Sequence, residues 1–239
     1  MTLKIGVPSK GRLMEQTFDW FGQRGIAMRQ TGGMREYAGA VDGVDGVNLV
    51  LLSAGEIPRE LAAGRVHLGV TGSDLVRDRL VDWADQVAEL APLGFGQANL
   101  IIAVPNAWID VDSLDDLDAA AAAFRATHGF RLRIATKYHR LVRDFLTAHG
   151  VADYQLVDSQ GATEGTVKNL TAEAIADITS SGATLRDNHL KVLGGSVIHQ
   201  SQAVLYAAKA ALWDADARFT MGDLLQALDL ALLSGFLPD

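Results

Sequence analysis

The chain has 239 residues, which is enough for one or two domains with a sizeable hydrophobic core. Hydrophobic residues make up 49% and charged residues 21%, a balance typical of a folded globular protein and not of a disordered one. The formal net charge of −8 argues against nucleic-acid or anionic-membrane binding as the main role, and the lack of cysteine excludes disulfides and thiolate chemistry.

The first residues do not have the pattern of a targeting segment. The chain opens MTLKIGV and breaks at Pro8, so it lacks the long apolar region of a signal peptide. No apolar run approaches the roughly 18 residues of a membrane span. We therefore predict a soluble, cytoplasmic protein that binds neither a membrane nor nucleic acid.

Short β-branched and aliphatic runs alternate with stretches of helical periodicity along most of the chain. Strands are predicted at 3–7, 47–52, 66–70, 131–136, 154–157 and 174–178. Met14, Phe18 and Phe21 share one face of the first helical stretch, and Leu141 and Phe145 share a face after the fourth strand. This alternation predicts right-handed βαβ units around buried parallel sheets.

Two glycine pairs mark places where the chain is expected to pass from one sheet to another. Gly94 and Gly96 precede an apolar run at 100–104, and Gly194-Gly195 precede a strand-forming segment at 196–207. A last helix follows, with apolar residues on one face: Met221, Leu224, Leu225, Leu228 and Leu232.

These features predict an α/β fold with two lobes joined by a double crossover, as in periplasmic-binding-protein-like molecules. Residues 1–95 with 195–239 would form lobe I, and residues 96–194 would form lobe II. Ligands in such molecules bind outside the carboxyl ends of strands, so we expect the site in a cleft between the lobes.

Several aspartates precede the helix that contains the alanine run 119–123: Asp110, Asp112, Asp115, Asp116 and Asp118. We interpret them as helix caps and as charges that offset the helix macrodipole, in preference to a metal cluster.

The most informative stretch is EAIADITSSGATL at 173–185, a strand, a small hydroxyl and glycine loop, and a helix start. Glu173 and Asp177 are four apart and therefore face the same way on a strand, where they suit ribose hydroxyls or magnesium. The loop suits phosphate through its backbone N–H groups and the helix dipole: Thr179, Ser180, Ser181, Gly182, Ala183 and Thr184. The stretch indicates a phosphoribosyl site, with an ordinary capped turn as the alternative.

This stretch resembles the phosphoribosyl-pyrophosphate loop of the ATP phosphoribosyltransferase family. Further blocks resemble that family in the same order: PSKGRL at 8–13, EIP at 56–58, LGVTG at 68–72, FG at 95–96, AVP at 103–105 and IATKY at 134–138. The resemblance covers about residues 3–205. It implies that N1 of ATP displaces pyrophosphate from phosphoribosyl pyrophosphate, the first step of histidine biosynthesis.

The resemblance also implies roles for individual residues. Glu173 and Asp177 would hold the ribose hydroxyls, the loop at 179–184 would clamp the 5′-phosphate, and Mg²⁺ would bind through the substrate phosphates without a dedicated protein cage. Glu164 resembles a family position near the ribose. Residues expected at ATP or pyrophosphate are Ser9, Lys10, Gly11, Arg12, Thr71, Gly72, Asp74 and Lys137.

Each of these groups has a simpler alternative. The segment 9–12 also fits a turn with solvated cations, the segment 71–74 fits a helix N-cap, and Lys137 fits a solvated face.

The chain departs from the family at several positions. Many members carry arginines just before the block at 56–58, where this chain has Ser53-Ala54-Gly55. Arg35 and Arg59 are the candidates to supply that charge to pyrophosphate. His67 stands where an acidic residue is frequent, and His139 where proline is frequent; both are expected on the surface or in packing.

The length resembles the short form of the family, which lacks a C-terminal regulatory domain. That form works with a separate regulatory subunit similar to histidyl-tRNA synthetase. The resemblance therefore implies dimers of catalytic chains within a hetero-oligomer, with histidine feedback felt through the partner.

Two alternative functions stay open. One is a non-catalytic, two-lobed small-ligand-binding protein, against which the lack of a signal peptide and of DNA-binding helices counts. The other is a phosphoribosyltransferase for a free nucleobase, against which the ordered N-terminal blocks count.

Overall fold

The computed structural model describes residues 2–31, 38–159, 161 and 163–230. The chain divides into two compact units. Unit 1 comprises Met1–Gly96 and Gln202–Asp239, and unit 2 comprises Gln97–Ser201. Each unit has a β-sheet of its own, so the predicted α/β class with two sheets is confirmed.

The strands are β1 (Leu3–Pro8), β2 (Ala27–Gln30), β3 (Ala38–Asp42), β4 (Val47–Leu52), β5 (Leu68–Gly72), β6 (Val87–Pro92), β7 (Ala98–Pro105), β8 (Leu132–Thr136), β9 (Tyr154–Asp158), β10 (Ala174–Thr179), β11 (Leu190–Val192), β12 (His199–Ser201) and β13 (Ala203–Ala208). The helices are α1 (Gly11–Gly22), α2 (Ile57–Ala62), α3 (Ser73–Arg79), α4 (Trp83–Gln86), α5 (Leu114–His128), α6 (His139–Ala148), α7 (Gly165–Lys168), α8 (Ala183–Asp187) and α9 (Ala215–Ala227).

Unit 1 is built on a mixed sheet whose strands, as far as the chain is described, follow the order β2-β3-β4-β1-β5-β13-β6. The central strand β1 pairs in parallel with β4 and β5, with Ile5 opposite both Leu49 and Leu68. Consecutive residues of β1 are buried, so both faces of this strand are covered. Helices α1, α2 and α9 contact it.

Unit 2 contains the second mixed sheet, with the order β11-β7-β10-β8-β9 and β12 paired with β7, again within the described residues. Strand β8 pairs in parallel with β9 and β10, whereas β7 runs antiparallel to β10 and β11. One core cluster of this unit includes Ile101, Ala135, Ile175, Leu185 and Leu190.

The predicted strands at 3–7, 47–52, 131–136, 154–157 and 174–178 are confirmed to within one residue at each end. The strand predicted at 66–70 is offset, since β5 spans Leu68–Gly72. The predicted buried parallel strands are present as β4-β1-β5 and β10-β8-β9, but both sheets also contain antiparallel strands that were not predicted. Strands β2, β3, β6, β7, β11, β12 and β13 pair in antiparallel fashion.

The segment predicted as one strand at 196–207 is interrupted at Gln202. Strand β12 before it pairs with β7 of unit 2, with His199 opposite Leu100, and β13 after it pairs with β5 of unit 1. The division between the units therefore falls after Ser201, and not between residues 194 and 195 as the sequence suggested.

Two helices differ in detail from the sequence analysis. Helix α6 buries Val142 and Leu146, whereas Phe145 is half-buried and places its ring 4.2 Å from that of His149. Helix α9 buries Met221, Leu224 and Leu225 as expected. Leu232 lies outside the described residues.

Two of the five aspartates near the start of α5, Asp115 and Asp116, have the role that was predicted for them. Ser113 is the N-cap and forms a capping box with Asp116, and Asp115 also lies in the first turn. Asp112 pairs with Lys191 at 2.6 Å across the unit.

His67 is a buried packing residue of unit 1. Its Nδ1 accepts a hydrogen bond from the Lys4 N–H at 3.0 Å, and its Nε2 lies 3.1 Å from the carbonyl oxygen of Leu212. These partners require a neutral ring with its proton on Nε2. Burial is the main cause that lowers the pKa of His67, and it outweighs the hydrogen bond to the Leu212 carbonyl oxygen, which acts in the opposite direction.

We expect the free energy of unfolding to decrease when the pH falls from 7 to about 5.5. The unfolded histidine takes up a proton near pH 6.5, while the folded one, with its lowered pKa, resists protonation. Urea titrations across this range would measure the slope. A His67→Gln variant should show a smaller slope, and an identical slope in both proteins would contradict the assignment.

Candidate functional site

The carboxyl ends of three parallel strands meet at one edge of the unit 2 sheet. They are the ends of β8, β9 and β10. Pairing of β10 with β8 ends at Ala176 opposite Thr136, whereas pairing with β7 continues to Thr179 opposite Asn99. The last three residues of β10, Asp177 to Thr179, therefore extend past the end of β8. Ligands commonly bind at such strand ends in α/β sheets.

A pocket of about 180 Å³ lies at this strand end. Most of its lining consists of residues that the sequence predicts to bind phosphoribosyl pyrophosphate: Glu164, Asp177, Thr179, Ser180, Ser181, Ala183 and Thr184. Ile175, Ile178 and Leu185 complete the lining and had not been selected. Their apolar character gave no signal of function, since such residues are usual in any strand or helix.

The loop between β10 and α8 is held by its own hydroxyl groups. Thr179 Oγ1 accepts a hydrogen bond from the Gly182 N–H at 3.0 Å, and Ser181 Oγ accepts one from the Ala183 N–H at 3.3 Å. Gly182 has φ of +68°, a conformation that favours glycine. Helix α8 has only 5 residues, so the expected helix dipole contributes less than the loop amides themselves.

Two carboxylates contribute to the pocket. Asp177 is half-buried, and its Oδ1 accepts a hydrogen bond from the Ile178 N–H at 2.8 Å. Glu164 stands at the N-cap position of α7 and is also half-buried. Both are acceptors of the kind that binds hydroxyl groups or a hard cation.

Glu173 lies outside this pocket, contrary to the expected pairing with Asp177. It directly precedes β10, and four residues along an extended chain span about 13 Å. Its carboxylate binds Arg133 on β8: Oε1 lies 2.5 Å from Nη2, and Oε2 accepts from the backbone N–H at 2.8 Å. Burial alone would raise the pKa of Glu173, but the hydrogen bonds from Arg133 outweigh it and the pKa is lowered.

In unit 1, three segments follow strands whose carboxyl ends meet at one sheet edge. They are the segments 9–12 after β1, 53–56 after β4 and 73–74 after β5. Lys10 and Arg12 are exposed, and Gly11 begins α1 with φ of +75°. This edge therefore offers two cations to solvent.

Thr71 and Asp74, which were predicted near ATP or pyrophosphate, are buried. Thr71 is 0% exposed and its Oγ1 donates a hydrogen bond to the Ala54 carbonyl oxygen at 2.9 Å. Asp74 is 5% exposed within α3. Gly72 is the N-cap of α3, as the simpler alternative had it. The Thr71 hydroxyl therefore ties the end of β5 to the segment that follows β4.

The remaining candidate cations are dispersed. Lys137 is exposed directly after β8 and is not part of the pocket lining. Arg59 is exposed on α2, near Glu56, whose carboxylate accepts hydrogen bonds from the Ser53 side chain and backbone that lower its pKa. Arg35 lies outside the described residues.

Within the described ranges, no three histidine, aspartate or glutamate side chains come together as a metal site. No helix in the same ranges is long and apolar enough to cross a membrane.

The fold is shared with solved structures. The "ATP phosphoribosyl transferase (HisG:HisZ) complex" from Thermotoga maritima matches with a TM-score of 0.73 and 18% identity, covering 95% of this chain and 96% of that one. An ArgBP mutant from T. maritima matches with a TM-score of 0.53 and 13% identity, covering 95% and 89%. The architecture is thus that of the periplasmic-binding-protein-like α/β class, as predicted.

Sequence comparison narrows this class to one family. The family model described as "HisG: ATP phosphoribosyltransferase" matches residues 53–229. The chain belongs to the ATP phosphoribosyltransferase family, so the predicted family and the predicted enzyme class, a transferase of the first step of histidine biosynthesis, are confirmed.

Relatives of two lengths carry that family name. An ATP phosphoribosyltransferase of Cereibacter sphaeroides is 81% identical over 213 residues, covering 89% of this chain and 90% of the relative. One from Mesorhizobium japonicum is 49% identical and covers 87% and 90%. One from Rhodopseudomonas palustris is 53% identical, and there the match spans only 66% of the relative's length.

Proposed function

We propose that this chain transfers the 5-phosphoribosyl group of phosphoribosyl pyrophosphate to N1 of ATP and releases pyrophosphate. The observation that carries the proposal is that Asp177, Glu164 and five residues of the loop at 179–184, all except Gly182, line one pocket. Its volume of about 180 Å³ is below the ~300 Å³ at which whole-ligand pockets usually begin. We assign it to one part of the substrate, the phosphorylated ribose.

The loop at 179–184 is the proposed binding site of the 5′-phosphate. The N–H groups of Gly182 and Ala183 already donate to rotatable hydroxyls of Thr179 and Ser181. Phosphate oxygens would replace these hydroxyls as acceptors, because a hydrogen bond to a charged acceptor is the stronger one. The displaced hydroxyls would then donate to the same phosphate.

The two carboxylates are the proposed binding partners of the ribose. Asp177 would accept hydrogen bonds from the ribose hydroxyls, and Glu164 would take the second position that the sequence analysis gave to Glu173. The bond between ribose C1 and pyrophosphate breaks with its electron pair on the leaving group, while a bond to adenine N1 forms. Carboxylates close to the ring stabilise the positive charge that develops there.

Magnesium fits this pocket. The ion prefers oxygen ligands and is commonly bound by one or two carboxylates together with substrate phosphates. Asp177 and Glu164 would supply the protein oxygens, and the substrate phosphates the remainder. When bound, the ion neutralises charge on the departing pyrophosphate.

The second substrate and the leaving group require cations elsewhere. Lys10 and Arg12 in the segment 9–12 are our candidates for phosphate contacts in unit 1, and Lys137 in unit 2. Arg59 is the candidate for the charge that the sequence lacks at 53–55. We place the reaction in the cytoplasm, because both substrates are polyanions that do not cross a membrane unaided.

We also propose a regulatory partner. The chain would form dimers within a hetero-oligomer that contains a subunit resembling histidyl-tRNA synthetase, and histidine would inhibit through that subunit. The Thermotoga relative described as a HisG:HisZ complex supports this proposal. Full inhibition of the purified chain by histidine, without a partner, would contradict it.

One assay tests the reaction. The protein, with its regulatory partner, is mixed with Mg²⁺, phosphoribosyl pyrophosphate and either ATP or adenine, and pyrophosphate release is followed. We expect turnover with ATP only. Turnover with adenine alone would indicate a nucleobase phosphoribosyltransferase, and turnover with neither would indicate a non-catalytic binding protein.

A further inference from the structure

Arg186 lies on α8 and reaches back over the loop at 179–184. Its Nη1 donates a hydrogen bond to the carbonyl oxygen of Ser181 at 3.1 Å. The approach is close: a Cβ added to Gly182 would stand 3.2 Å from the same Nη1. Nothing in the strand–loop motif singled out Arg186, because its effect depends on this backward fold of the side chain.

The contact fixes the orientation of one peptide group. In a trans peptide the carbonyl and the following N–H point in opposite directions. Since Arg186 holds the Ser181 carbonyl, the Gly182 N–H must point to the other side of the loop. It does so, donating to Thr179 Oγ1, and Thr179 lines the pocket.

We propose that Arg186 is a positioning residue for phosphate binding by this loop. Its guanidinium turns the Ser181 carbonyl away from the pocket and so presents the Gly182 N–H to an incoming phosphate. It also places a full positive charge beside a loop that must accept a polyanion, in a chain whose net charge is −8. The inference rests on the proposed function, because it assumes that the phosphate is that of phosphoribosyl pyrophosphate.

The test compares Arg186→Met, which removes both charge and donor, with Arg186→Lys, which keeps a charge and a donor at similar reach. Arg143→Met is the matched control, because Arg143 is an exposed arginine of unit 2 on α6 and lines a different surface pocket. Two quantities are measured for each protein: KM for each substrate, and the inhibition constant of ribose 5-phosphate against phosphoribosyl pyrophosphate.

We expect Arg186→Met to raise both KM for phosphoribosyl pyrophosphate and the ribose 5-phosphate constant by about tenfold, the usual scale of a hydrogen bond involving a charged group. KM for ATP should stay within about twofold, and Arg186→Lys should recover part of the loss. The control should match the unmodified protein.

Unchanged constants in Arg186→Met would overturn the proposal, and so would an equal rise in both KM values, which indicates a general loss of structure. If Arg186→Met does not fold, Arg186→Lys decides: it should bind more weakly than arginine, since lysine lacks the planar fork. Calorimetric binding of ribose 5-phosphate needs no turnover. It therefore still tests Arg186 if the unmodified protein releases no pyrophosphate and the proposed reaction itself fails.

Discussion

Asp177→Asn is expected to lower kcat/KM for phosphoribosyl pyrophosphate by about a hundredfold or more. The substitution removes the negative charge that faces the ribose in the proposed complex. It retains an Oδ1 that can accept the Ile178 N–H, so the strand end should keep its conformation. Steady-state kinetics with each substrate varied in turn would measure the loss, and thermal unfolding would show that the fold is intact.

Asp187→Asn is a suitable control for this experiment. Asp187 is an exposed aspartate at the end of α8 and does not line the pocket, so the same chemical change there should leave the kinetics unaltered. Kinetics of Asp177→Asn that equal those of the unmodified protein would remove Asp177 from the proposed ribose site.

Glu173→Gln is expected to have the opposite profile, a loss of stability without a loss of substrate affinity. The side chains of Glu173 and Arg133 are only 15% and 29% exposed, and the pair joins β10 to β8. Removing the charge leaves the guanidinium without its ionic partner, which should lower the free energy of unfolding by about 2 kcal/mol. KM for phosphoribosyl pyrophosphate should stay within about twofold, because Glu173 lies outside the pocket.

A double-mutant cycle with Arg133→Met would isolate the interaction between the two side chains. The loss in the free energy of unfolding of the double variant should be smaller than the sum of the losses of the single variants.

The pH dependence of stability gives a second check. The folded pKa of Glu173 is lowered, so its stabilisation is present above the unfolded carboxyl pKa of about 4.3 and disappears as the pH falls below it. The difference between the two proteins should shrink over the same range. A fall in kcat/KM as large as that expected for Asp177→Asn would restore Glu173 to the ribose site.

The contrast between Asp177 and Glu173 shows how far the local pattern could be taken. The strand, the loop and the short helix at 173–185 all form where the sequence predicted them, because strand propensity and small loop residues act over a few neighbours. The pattern predicted that the two carboxylates act together. The structure places Asp177 in the pocket lining and Glu173 beside Arg133, a difference that depends on which end of β10 lies at the ligand edge and on the partner that β8 supplies.

Other differences have the same origin. Thr71 and Asp74 lie in a strand-end segment, as expected. The Thr71 hydroxyl, however, donates a hydrogen bond to the carbonyl oxygen of Ala54, 17 positions away in the chain. The alternation of strands and helices predicted parallel strands. It could not predict the antiparallel pairing of strands such as β13, which return to a sheet from a distant part of the chain. Gln202 falls between β12 and β13, a break that depends on which sheet each strand joins.

The sequence by itself determined the α/β class, the positions of many strands and the family, and it predicted the loop at 179–184 as a phosphate site. These properties reside in periodicity, composition and short contiguous motifs. Only the tertiary structure decided that Glu164 and Asp177 line the same pocket, that Glu173 pairs with Arg133 and that the Arg186 side chain folds back onto the Ser181 carbonyl. The first two depend on strand register and on contacts between distant segments, and the third on the direction of one side chain, none of which short-range sequence patterns encode.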